Sequence, residues 1–66
     1  MRDLVINLGY GRVMHISPSE VLYAEKSVDP RTQQLDQFTI HLSSSGAPVH
    51  VRATPKVAAW VKPFLI

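Results

Sequence analysis

The chain contains no cysteine, which excludes disulfides, thiolate metal sites and a thiol nucleophile. It holds only three glycines. Two of them, in Gly9-Tyr10-Gly11, lack the third glycine and the following helix that a phosphate-binding loop requires. No serine sits in a Gly-x-Ser-x-Gly elbow. The five carboxylates, Asp3, Glu20, Glu25, Asp29 and Asp36, offer no close pair for acid–base work. Long apolar runs are missing as well, none approaching the roughly 20 residues of a membrane-spanning helix. Nor does the N-terminus join a basic segment to a long apolar core, as a secretory signal would. These absences predict a cytoplasmic protein that is not an enzyme and uses no cofactor or metal.

The remaining composition is that of a folded chain. Hydrophobic residues reach 45%, whereas disorder goes with low hydrophobicity and high net charge. At 66 residues the chain makes one domain, 1–66, and a chain of that size buries only about 60% of its unfolded surface. Without disulfides, such a domain gains from oligomerisation or from folding tightly against a partner. Seven Lys and Arg against five Asp and Glu give a net charge of +2. The cations Arg2, Arg12, Lys26, Arg31, Arg52, Lys56 and Lys62 are spread along the chain. A nucleic-acid binder gathers them on one face, so the charge permits that role without singling it out.

Leu4 to Leu8 and Arg12 to Ile16 read as strands joined through Gly9-Tyr10-Gly11, whose glycines supply the positive φ of a tight reversal. Ser17-Pro18-Ser19-Glu20 has the form of a capping box closing a single helical turn. Val21 to Lys26 resumes a strand. Ser27 to Gln34 is the most polar stretch, a loop punctuated by Asp29-Pro30 with Arg31 as its candidate contact. In Asp36 to Leu42, Phe38, Ile40 and Leu42 alternate with Gln37, Thr39 and His41. In Pro48 to Ala53, Val49, Val51 and Ala53 alternate with His50 and Arg52. Thr54-Pro55 opens a helix over Lys56 to Lys62, curtailed by Pro63. The predicted class is α+β: a small antiparallel sheet of about five strands, two hairpins plus a middle strand, with one C-terminal helix packed on it.

Two surfaces stand out. Thr39, His41, His50 and Arg52 point away from the apolar face of the second hairpin and make a polar, partly basic surface. Closure around Ser43 to Pro48 places His41 opposite His50, with His15 as a third imidazole if its strand lies alongside. Three histidines fall short of the four ligands of a structural zinc site, so no metal is assigned. The second surface is C-terminal. Trp60, Phe64, Leu65 and Ile66 exceed what one short helix buries against a small sheet, and they mark a partner-binding surface.

Gly-Arg-Val-Met-His-Ile-Ser-Pro-Ser-Glu-Val-Leu-Tyr-Ala-Glu, then Phe-Thr-Ile-His-Leu-Ser-Ser-Ser-Gly and Val-His-Val-Arg-Ala-Thr-Pro, resemble the FlbD/SwrD-type small flagellar-associated proteins. That resemblance implies a strand, a Ser-Pro turn, a further strand, a hairpin and a terminal helix. The same β-core is similar to the longer LytTR DNA-binding domain. Leu35 to Leu42 looks like the central strand of Hfq, a hexameric RNA-binding Sm-type protein, although Val51-Arg52-Ala53-Thr54 does not match Hfq's basic motif. Ser27 to Gln34 departs from the first two patterns. Together these readings predict a small regulatory or inhibitory protein, of a kind that phage and accessory genomes encode. It would act by binding another protein or a second copy of itself as a homodimer, without a membrane. The alternative is a nucleic-acid-binding regulator using the polar face or Arg31.

Overall fold

Three consecutive residues of positive φ reverse the chain for the first time: Gly9 (87°), Tyr10 (53°) and Gly11 (75°). The computed structural model describes residues 1–66, and in it this reversal joins β1 (Leu4–Gly9) to β2 (Arg12–Ile16). A two-residue hairpin turn whose twist matches its strands needs left-handed geometry at both central positions, here Tyr10 and Gly11. Leu8 bulges out of the ladder, because Asn7 pairs with Val13 while Gly9 pairs with Arg12. The Asn7 side chain holds the bulge by accepting a hydrogen bond from the Gly9 amide at 2.8 Å.

Pro18–Glu20 forms one 3-10 turn, so the short helical break between strands is present. Its capping differs from the capping box expected of Ser17. No side-chain cap is made; the Ser17 hydroxyl bonds Ser19 instead, and the Ser17 carbonyl accepts from the Glu20 amide. A turn this short needs only the backbone bond to close.

β3 (Val21–Val28), β4 (Leu35–Leu42) and β5 (Val49–Arg52) form a three-stranded antiparallel sheet in that order, separate from the two-stranded β1–β2 sheet. The five expected strands are therefore divided between two sheets. The polar loop is shorter than expected, since Ser27 and Val28 continue β3, and residues 29–34 alone make the reversal. Asp29 organises it: its carboxylate accepts from the Arg31 amide at 2.8 Å and its carbonyl from the Gln33 amide at 2.8 Å.

The second hairpin corrects one register. His50 pairs with Thr39 and Val49 with Ile40, so His41 does not face His50 but sits one same-face position further along β4. Parity survives the shift because the apolar sets still share a face, and that is what the hydrophobic pattern enforces. His41 instead pairs with Tyr23 of β3. A bulge at Leu22 makes this pairing compatible with the core, letting Val21 pair with Leu42 while Tyr23 pairs with His41.

Helix α1 (Pro55–Val61) follows, with the Thr54 hydroxyl accepting from the Val57 amide at 3.3 Å as an N-cap. Pro63 ends the α-helix, and Lys62–Phe64 tightens into a 3-10 turn. The core is one cluster of eight buried residues: Leu4, Ile16, Ala24, Phe38, Ile40, Val51, Val57 and Val61. Every layer contributes, so burial of these side chains is what holds hairpin, sheet and helix together.

Candidate functional site

The outward face of the three-stranded sheet gathers all four predicted polar residues. Cross-strand pairing sets them in rows: Tyr23 beside His41, Glu25 beside Thr39 beside His50, and Ser27 beside Gln37 beside Arg52. Thr39 lies in the middle of this face and is nearly buried, at 9% exposed. Its hydroxyl sits 3.3 Å from the Ser27 hydroxyl and 3.1 Å from His50 Nδ1, which satisfies it where water is excluded. His41 Nε2 donates to Glu25 at 2.7 Å, and its ring stacks on Tyr23 with centroids 4.2 Å apart. The result is a surface on which Thr39, His41 and His50 are hydrogen-bonded to neighbours, while Arg52 makes no ion pair. His15 is on β2, in the other sheet, and no three His, Asp or Glu side chains converge on a point.

The C-terminal residues divide. Trp60, Phe64 and Leu65 are half-buried and pack against the core cluster, while Ile66 stays 86% exposed. The Trp60 indole N–H donates to the Arg2 carbonyl at 2.7 Å, tying the helix to the N-terminal segment. Leu65 bridges Ala24, so the last residues run beside β3. Arg31 is exposed at the β3–β4 reversal, and its side chain makes no ion pair.

Sequence reasoning passed over a third surface, on the first hairpin. Leu4, Ile6, Met14 and Ile16 turn inward, yet the opposite side also carries apolar residues, Val5 beside His15 and Val13 beside Asn7. Val5 is 41%, Leu8 49% and Val13 54% exposed, and Tyr10 stands fully in solvent at the turn. The signal was present: Leu4-Val5-Ile6 and Val13-Met14 are runs without alternation, and such runs belong to strands covered on both faces.

Compared with known protein families, with curated proteins and with solved structures, the chain finds no match. Fold and surface define a class: a small antiparallel α+β domain whose first hairpin exposes Val5, Leu8, Tyr10 and Val13. No helix in it is long and apolar enough to cross a membrane.

Proposed function

We propose that this protein is a small regulator that acts by binding protein, in the first instance a second copy of itself. The observation that carries the proposal is Tyr10. A bulky side chain in left-handed geometry costs about 1–2 kcal/mol, and asparagine would serve that turn position better. Tyr10 nevertheless occupies it with its ring wholly exposed. Strain of this kind, kept where the fold gains nothing from it, points to a contact outside the chain. Leu8 and Val13 flank it and supply the apolar area that such an aromatic anchor needs. Trp60, Phe64, Leu65 and Ile66 form the second part of the proposed contact.

The small core supports the same reading. Eight apolar residues are buried, whereas nine large apolar side chains are exposed, Met1, Leu22, Val28, Leu35 and Ile66 among them. Covering some of these supplies stability that a domain of this size lacks alone. The FlbD/SwrD-type resemblance is carried as part of this proposal.

Light scattering after size exclusion, at low and high salt, tests it. A mass of about twice 7.4 kDa that survives high salt is expected. A monomer at every concentration overturns self-association. The second reading, nucleic-acid binding, is favoured by the half-buried Tyr23–His41 stack on the same face as His50 and Arg52. It requires binding to DNA or RNA that weakens steeply with salt.

A further inference from the structure

A groove of about 270 Å³ opens where β1 runs past β5 and the start of α1. Val5 to Asn7 of β1, Val51 and Arg52 of β5, and Thr54, Lys56 and Val57 at the start of α1 line it. Of the exposed hairpin residues only Val5 lines it, so a ligand in the groove leaves Leu8, Tyr10, Val13 and the C-terminal residues free.

Both strands have an edge without a partner. β1 pairs only with β2, and β5 only with β4. No backbone hydrogen bond from outside the sheets reaches residues 5–7 or 49–52. The outer edge of β3 is different, because the C-terminus closes it: the Ile66 amide donates to the Ala24 carbonyl at 3.2 Å. A row of outward N–H and C=O groups is a template for an added strand, and here two such rows border one groove.

The side chains specify what kind of strand. Val51 and Val57, 3% and 7% exposed, lie at the bottom with half-buried Ile6. Residues facing them must be apolar. Arg52 and Lys56 stand at the rim, neither in an ion pair, and no carboxylate lines the groove. Because side chains of a strand alternate, apolar residues facing inward leave the intervening residues outward, beside Arg52. We infer that the groove receives an extended segment of a partner protein in which apolar residues alternate with acidic ones. It would join the two sheets by pairing with β1 and β5 together.

The test uses a capped octapeptide alternating valine with glutamate, followed through the backbone amide NMR signals of the whole protein. Shifts at Val5, Ile6, Asn7, Val51 and Arg52 are expected. A valine–lysine octapeptide should bind about tenfold more weakly, the size of effect that two exposed ion pairs produce. The double variant Arg52→Glu, Lys56→Glu should invert that preference. Methylating alternate backbone nitrogens of the glutamate peptide removes donors without changing charge and should abolish binding to the wild-type protein, a result that does not depend on the variant folding. The inference is overturned by the absence of shifts at these amides, by shifts centred on Thr39 and His50, or by undiminished binding of the methylated peptide. Displacement of the peptide by a short oligothymidylate would also overturn it and make the rim a phosphate site.

Discussion

The first hairpin and the β3–β4–β5 sheet are both built from strands in which at least half the residues are apolar, yet they use those residues in different ways. In the sheet, β4 is flanked by strands on both edges, α1 covers one face, and Phe38 and Ile40 are almost wholly buried. Its other face is polar and hydrogen-bonded across all three strands. In the hairpin, Leu4 and Ile16 alone are fully buried, and apolar residues continue onto the exposed side and the turn. An isolated hairpin is at best marginally stable in water. The sheet thus carries the fold, and the hairpin is a surface held in place by it.

The largest expected effect breaks the sheet. Phe38→Ala removes the largest fully buried side chain and should cost about 3–5 kcal/mol, comparable with the whole stability of a domain this small. Urea denaturation should find the variant largely unfolded; a loss under about 1 kcal/mol would mean that the core lies elsewhere. Gly11→Ala strains the turn at φ 75° and should cost about 1–2 kcal/mol. Hydrogen exchange should show that loss in β1 and β2 amides before β4.

Much of this division could be read from the sequence. Period-two alternation marked the apolar faces of β4 and β5, and Thr54-Pro55 marked the start of α1 where Thr54 does cap it. Alternation fixes only parity, however. It could not choose between His41 and Thr39 as the partner of His50, since both lie on the same face. Ser27 looked like loop because its reason for being in β3 is a long-range hydroxyl contact with Thr39. The unalternating Leu4-Val5-Ile6 marks β1 as apolar on both faces, but which of those faces the rest of the chain covers is a tertiary matter that no local pattern reports.

Smaller effects sharpen the contrast. Thr54→Ala removes the helix cap and should cost about 1 kcal/mol, read as a lowered midpoint with an unchanged denaturant slope. Val13→Ser alters an exposed position and should change folding stability by less than about 0.5 kcal/mol. Light scattering should nevertheless show a lower mass at equal concentration. A Val13→Ser protein that is much less stable, or of unaltered mass, would make the hairpin surface part of the fold after all.

The decisive variant is Tyr10→Asn, with stability and solution mass measured on the same sample. A more stable fold, by about 1 kcal/mol, is expected together with a fall in mass towards the monomer. Gain of stability and loss of association would then come from one side chain. A variant that is less stable, or that associates as well as the wild type, would mean that this hairpin serves the fold rather than a partner.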